Sequence, residues 1–139
     1  MDDAGFMTAG WAPLPTSGFS AAIGKTWMKG EAGNRVVGLA AHDGIVNDYG
    51  AVVHGGALMT FADIALGMGA ADAITGHSYV TVQLQYSFAG GVAKGALITC
   101  EPELVRKTSS LAFVRGLIKA DGAVVGSADG IFKALGPRR

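Results

Sequence analysis

The sequence predicts an α+β domain in which a curved antiparallel sheet of about six strands wraps around one long central helix. Three observations lead there. Across residues 55–74, Leu58, Phe61, Ala62, Ala65, Leu66 and Gly69 fall at the i, i+3, i+4, i+7, i+8, i+11 spacing of a helix face. After residue 77 the text changes to period two, most clearly in 78–88, SYVTVQLQYSF. Asp121-Gly122 then separates two further apolar-rich runs, 110–120 and 123–134, as a two-residue hairpin turn does. A helix that is apolar on nearly every face is buried if such a sheet curls around it.

Taken in order, residues 1–17 read as a loosely structured N-terminal arm. Phe6, Met7 and Trp11 can dock on the body, and Pro13 and Pro15 prevent a long helix. Residues 18–139 read as one domain. Residues 19–29 have strand character with Gly24 as a bulge, 30–34 carry turn chemistry, and 35–41 read as the returning strand of a hairpin. Residues 42–50, rich in Asp, Asn and Gly, read as a loop or a single helical turn. Thr75-Gly76 ends the long helix. Met59, Ile64 and Met68 make its other faces apolar, and Ala62, Ala65, Gly67, Gly69, Ala70 and Ala71 allow neighbours to approach closely. In 78–88 strict alternation puts Tyr79, Thr81, Gln83 and Gln85 on one side and Val80, Val82, Leu84 and Tyr86 on the other. Residues 89–95 are a Gly-rich turn, and 96–106 a strand in which Pro102 marks a bulge or an edge. Internal repeats and interdomain linkers are absent from this reading.

Composition narrows the function. Half of the residues are hydrophobic and 16% are charged, rich for a soluble monomer, so a homo-oligomer is expected. A formal net charge of zero argues against nucleic acid as the partner. The charge is uneven: after Glu103 come Arg106, Lys107, Arg115, Lys119, Lys133, Arg138 and Arg139 against only Asp121 and Asp129. A solvated surface and a local patch for a small anionic ligand both fit. Cys100 is the only cysteine, so neither an intrachain disulfide nor a Cys-based metal cluster is expected. Residues 51–71 are hydrophobic enough to raise the question of a membrane span. They carry His54 and Asp63, and a central Asp costs about 2.5–3.5 kcal/mol on insertion scales, so a buried helix in a protein off the membrane is expected. The acidic N-terminus lacks the basic start of a Sec signal, and a cytoplasmic location is expected.

The chemistry concentrates in 47–74. Gly55 and Gly56 have no side chains to block backbone N–H groups at a helix N-terminus, where negative charge, including a developing oxyanion, is favoured. The same glycines equally fit a tight turn into the helix. Asp63 has Met59, Thr60, Leu66 and Gly67 as its helical neighbours, and none is cationic. Burial there would make its carboxylate a better proton acceptor, suited to a general base or nucleophile; a structural hydrogen bond fits as well. His54 and Asp63 are separated by roughly 13 Å of helical rise, so they cannot meet within one chain. If both serve one site, the helix start of one subunit faces the mid-helix of another. A capping imidazole is the other reading of His54.

The pattern N-x-x-G-x-x-x-H-G-G-A-L-x-T-x-A-D over 47–63, followed by VTVQLQYSF over 80–88, resembles the hotdog-fold acyl-CoA thioesterases of the phenylacetate-degradation (PaaI-like) type. The resemblance spans roughly residues 19–135. It implies hydrolysis of an acyl-CoA thioester, with Asp63 as general base or nucleophile and the Gly55 N–H holding the carbonyl oxygen. It further implies that His54 positions the loop and the thioester, and that Thr81 orients the water or the acid. The family shares each site between two subunits, in a homodimer or in dimers paired into a tetramer. Coenzyme A is then part of the substrate, and no metal or other cofactor is expected, because a thioester carbonyl is already electrophilic. The family's amide residue stands six positions before the histidine. Here Asp48 is at that distance and Asn47 at seven; an anionic Asp48 would repel an oxyanion, so Asn47 is expected to polarise the carbonyl. Ala89-Gly90-Gly91 replaces a Pro-containing turn of many members. Arg106, Lys107 and Arg115 are candidates for the coenzyme A phosphates. Phe61, Met59, Tyr79, Tyr86 and Phe88 are the expected acyl lining, compatible with aryl or medium-chain groups. An enoyl-CoA hydratase or dehydratase on the same fold and a non-catalytic acyl-CoA binder stay open as alternatives.

Overall fold

A computed structural model describes residues 1–137. Arg138 and Arg139, counted above in the basic carboxy-terminal part, lie outside the described residues. The elements are α1 (Asp3–Thr8), β1 (Ala12–Leu14), β2 (Thr26–Glu31), β3 (Asn34–Ala40), α2 (Gly55–Ala73), β4 (His77–Phe88), β5 (Leu97–Cys100), β6 (Glu103–Lys107), β7 (Leu111–Ala120) and β8 (Ala123–Pro137). The strands pair antiparallel in the order β1-β2-β3-β5-β7-β8-β4, with β6 paired to β7 beside that path. α2 lies against one face of this sheet, as the sequence predicts.

The core is the contact between them. Leu58, Phe61, Ala62, Ala65, Leu66 and Ala70 of α2 are buried against Val37, Leu39, Ile98, Val114, Ile118 and Phe132 of the strands. The small helix residues permit close approach. A Cβ on Gly67 would come 2.9 Å from the Tyr79 hydroxyl, and one on Gly69 would come 2.9 Å from Pro102. The last turn of α2 is tied down by charge: the Arg35 guanidinium lies 3.0 Å from Asp72, which also accepts from the Gly33 N–H at 3.3 Å. The Asp121-Gly122 turn forms as expected, with Asp121 at φ 48° and Gly122 at φ 87°, and Ala120 facing Ala123. Asp121 Oδ1 also accepts from the Leu97 N–H at 2.9 Å, pinning the start of β5.

Eight strands replace the expected six for two local reasons. The run 96–106 is one strand kinked at Glu101-Pro102, so it counts as β5 and β6, both on the same edge of β7. The arm at 1–17 is built, not loose. Its β1 adds an edge strand to β2, and Phe6 stacks on Trp27 at 4.6 Å with Trp11 edge-on at 5.7 Å. Met7 stays exposed. The strand expected at 19–29 starts only at Thr26. Residues Gly18–Ile23 form a 3₁₀ helix that Gly24, at φ 94°, terminates. The 42–50 loop holds a single 3₁₀ turn, Asp43–Ile45.

Strict alternation fails in β4. Thr81 faces Phe132 and Gln83 faces Ile131, leaving Val82 as an extra residue in a bulge. The faces switch there: Tyr79 and Thr81 point to the helix before it, and Leu84 and Tyr86 do so after it. β4 is the outer strand of the sheet, and Val80 and Val82 are exposed on it. None of the helices among the described residues is long and apolar enough to cross a membrane.

Candidate active site

His54 caps α2, and its backbone settles most of the first turn. The His54 carbonyl accepts from Ala57 N–H at 2.9 Å and Leu58 N–H at 3.2 Å, while His54 Nδ1 accepts from Gly56 N–H at 2.8 Å. With Nδ1 spent as an acceptor, a neutral ring carries its proton on Nε2. Among the described residues the Gly55 N–H has no acceptor. It borders a cleft of about 400 Å³ with Asn47, Val53, Leu58, Phe88 and Gly91. The cleft walls are held by backbone pairing: Val46 bridges Val53, Val52 bridges Ala93, and the Asn47 N–H donates to the Val52 carbonyl at 2.7 Å. A Cβ on Gly55 would meet the Phe88 ring at 3.2 Å, so glycine leaves the N–H open beside an aromatic wall.

Asn47 and Asp48 differ sharply in placement. The Asn47 side chain lines the cleft, and its Oδ1 is buried with no partner among the described residues. Asp48 is exposed on the turn closed by the Gly50 N–H to Asn47 carbonyl bond at 2.9 Å.

The second group is at mid-helix. Thr81 Oγ1 donates to Asp63 Oδ1 at 2.7 Å, a short bond typical of a hydroxyl on a carboxylate. Asp63 is half-buried, less than the sequence suggests, because the helix face holding Gly56, Thr60 and Asp63 is only partly covered in the single chain. The structure therefore joins Asp63 to Thr81 and gathers Asn47 and Gly55, with His54 holding the turn. It keeps the two groups apart by about 12 Å of helical rise.

The three basic candidates are not gathered. Arg115 is paired with Glu103 at 3.2 Å and borders a cavity of about 470 Å³ with Glu101 and Lys119. That cavity, the largest of those described, lies on the sheet and touches neither Asp63 nor Gly55. Arg106 is exposed on β6, and Lys107 borders a cavity at the far end of α2 with His77, Thr75 and Ser109. Of the expected acyl lining, Phe61 is fully buried in the core, Met59 and Tyr79 are half-buried, with Tyr79 edge-on against Phe132, and Phe88 borders the Gly55 cleft. Tyr86 packs against Phe88 with ring centres 4.4 Å apart, and its hydroxyl is buried without a partner among the described residues. Burial pushes the Tyr86 phenol above its ordinary range, with the nearby Cys100 adding to the rise.

Sequence reasoning missed a second cleft, of about 360 Å³, on the other side of the helix start. It is built from Phe19, Ala22, Ile23, Ile45 and Val46 together with His54, Ala57 and Thr60. Its walls come from the two 3₁₀ turns, and the first of these has the β-like composition of a strand, which hides the signal.

None of the curated proteins compared matches the chain in sequence. Solved structures match it closely in shape. A hypothetical thioesterase from Streptococcus pneumoniae with coenzyme A superposes with a TM-score of 0.76 at 22% identity, covering 86% of this chain and 92% of that one. A Streptococcus mutans protein bound to acetyl CoA gives 0.72 at 22%, covering 81% and 90%. The Escherichia coli PaaI protein from the phenylacetic acid degradation operon gives 0.71 at 17%, covering 98% and 87%. These likenesses show the hotdog fold. The sequence model of the thioesterase superfamily matches residues 50–127, more than half of the chain and the stretch that holds Gly55, Asp63 and Thr81. The chain belongs to the thioesterase superfamily.

Proposed function

We propose that the protein hydrolyses an acyl-CoA thioester at a site completed by a second copy of the chain. The observation that carries this reading is the split geometry. A carboxylate–hydroxyl pair, Asp63 and Thr81, stands beside an open sheet edge, while an unbonded Gly55 N–H opens on a cleft at the other end of the same strand. Chemistry at a thioester carbonyl needs both, a proton acceptor for water and a donor for the oxyanion.

Pairing through β4 brings them together. Inward-facing residues must oppose inward-facing residues across an antiparallel pair. A two-fold axis at Gln85 then sets Leu84 against the partner's Tyr86. It also sets the bulged Thr81 and Val82 against the partner's Phe88, which borders the partner's Gly55. In this arrangement Asp63 activates water or attacks directly, Thr81 orients the acid, and the partner's Gly55 N–H and Asn47 amide hold the carbonyl oxygen. His54 fixes the first turn so that Gly55 alone is left to donate. Asn47 fits the polarising role better than Asp48, because it lines the cleft and carries no charge. The reaction asks for no metal or further cofactor, since the thioester is itself the activated group. The coenzyme A complexes of the two streptococcal proteins support the substrate class. Lys107, bordering a cavity rich in hydroxyls at the end of α2, is the best placed of the basic candidates for the phosphates.

Mixing two inactive variants tests the reading. Asp63→Asn and Asn47→Ala each remove one half of every site. When the two are co-refolded in equal amounts, half of the dimers are mixed and each mixed dimer keeps one intact site, so about a quarter of wild-type activity should return. Thiol release from an acyl-CoA panel measures it. No recovery in demonstrably mixed dimers refutes the shared site, and an Asp63→Asn protein with full hydrolysis refutes the role of the acid. Loss of enoyl absorbance without thiol release would favour the hydratase alternative.

A further inference from the structure

The second cleft at the helix start has no part in the proposed mechanism so far. Phe19, Ala22, Ile23, Ile45, Val46 and Ala57 make it mainly apolar, and its volume is about 360 Å³. It is a built feature. His42 joins its two walls, with Nδ1 accepting from Gly44 N–H at 3.1 Å in the second 3₁₀ turn. Nε2 is therefore the protonated nitrogen and donates to the Ile23 carbonyl, 2.8 Å away in the first turn. Ile23 and Ile45 form a buried floor, while Phe19 is 78% exposed at the rim. Thr60 turns its hydroxyl back onto the Gly56 carbonyl at 2.8 Å, which leaves the His54 ring as the main polar side chain of the lining.

The cleft shares a helix face with the acid. Gly56, Thr60 and Asp63 follow i, i+4, i+7 spacing, a single stripe of α2, and the cleft ends at Thr60, one turn before Asp63. We infer that this cleft is the acyl subsite, taking a short-to-medium apolar acyl arm from a thioester whose carbonyl lies at Asp63 of the same subunit. The inference rests on the proposed hydrolysis and adds the place where chain length is read. The partner's cleft with Asn47 and Gly55 is then left for the carbonyl and the arm that leads to coenzyme A. A cleft of this size with a closed apolar floor accepts a few methylenes or one ring and excludes longer chains.

The experiment compares kcat/KM for acetyl-, butyryl-, hexanoyl- and octanoyl-CoA in three full-length proteins: wild type, Ala22→Trp and Val52→Trp. Ala22 is exposed on the cleft wall, so an indole there fills space without entering the core. Val52 borders the other cleft. The expected result is a fall of at least about tenfold in the octanoyl-to-acetyl ratio for Ala22→Trp, since a few lost apolar contacts suffice for that. Phe19→Ala, which removes a rim wall and does not crowd the fold, should lower the same ratio. An unchanged ratio in a folded, active Ala22→Trp protein overturns the inference. So does a length profile that shifts in Val52→Trp alone, which would put the acyl arm in the other cleft. No thiol release by the wild type on any of the four substrates or on benzoyl-CoA would instead strike the hydrolase reading, and it is seen before any variant is made.

Discussion

Replacing Thr81 with valine isolates one hydrogen bond. Valine keeps the branched shape and strand preference of threonine and deletes only the hydroxyl that donates to Asp63 at 2.7 Å. A hydrogen bond to a charged group contributes about 1.5–3 kcal/mol when shielded from water. Thr81 is exposed in the single chain and Asp63 half-buried, so about 1–2 kcal/mol is the better figure. If the hydroxyl holds the acid in its reactive orientation, that energy is lost from the transition state, and kcat falls roughly 5- to 30-fold with KM changed by less than about twofold. Asp63→Asn, which removes the proton acceptor itself, should cost about 100-fold or more. Because Thr81 acts through Asp63, the double variant should be no slower than Asp63→Asn alone. Steady-state thiol release on the best acyl-CoA reads all three. Wild-type kcat in Thr81→Val, or a double variant that shows the full product of both losses, refutes the reasoning.

Three further expectations concern stability. Cys100 is 1% exposed, and burial, with Glu101 adding to it, raises its thiol from 9.0 to about 12. The folded protein then holds this proton after the unfolded chain has released it. The related stability is complete below pH 9 and drains away between pH 9 and 12, by up to about 1.4 kcal/mol per pH unit. Urea unfolding at pH 8–10.5 should show this slope, and Cys100→Ala should flatten it. Arg35→Met leaves Asp72, whose side chain is 12% exposed, without its cation at a helix C-terminus. A loss of about 2 kcal/mol and a Tm lower by roughly 6–10 °C are expected, with partial recovery when Asp72 is also made apolar. Tyr86→Phe removes a buried hydroxyl that has no partner among the described residues, and calorimetry should show a gain of about 1 kcal/mol.

What could be read from the sequence was local and periodic. The helix of α2 follows from the spacing of Leu58, Phe61, Ala65 and Leu66, and the last hairpin from Asp121-Gly122, because each feature is specified by neighbours within a few residues. The Asp63 and Thr81 pair follows from the resemblance alone, since nothing local in a helix announces a partner eighteen residues on. The errors arise where tertiary pairing overrides the local pattern. Residues 19–29 look β-like, yet Gly24 breaks the run and Gly18–Ile23 folds as a 3₁₀ helix against α2. One inserted residue at Val82 reverses the faces of half of β4, which no count of alternation reveals. β1 exists only because β2 offers it an edge, three residues being too few to declare themselves. Both clefts combine segments far apart in sequence, and of the expected acyl lining only Phe88 borders either of them.

On the proposed mechanism, the split between Asp63 and Gly55 ties catalysis to assembly. A regular helix fixes their separation, and no side-chain rotation closes about 12 Å. An isolated subunit on this reading holds two incomplete halves. Its outer strand, β4, also leaves a 12-residue edge with Val80 and Val82 in solvent, a surface that invites pairing with whatever strand arrives. On the proposed mechanism, pairing β4 with its own copy would cover that edge and complete both sites in one step. Activity should then follow the dimer. Specific activity should stay constant at high protein concentration and fall on dilution through the dimer dissociation constant, in parallel with the loss of dimer seen by light scattering. Val82→Lys, which places a charge in the pairing strand, should move both curves to higher concentration together. Constant specific activity in a sample shown to be monomeric would mean that each chain holds a complete site, and the shared arrangement would fall with it.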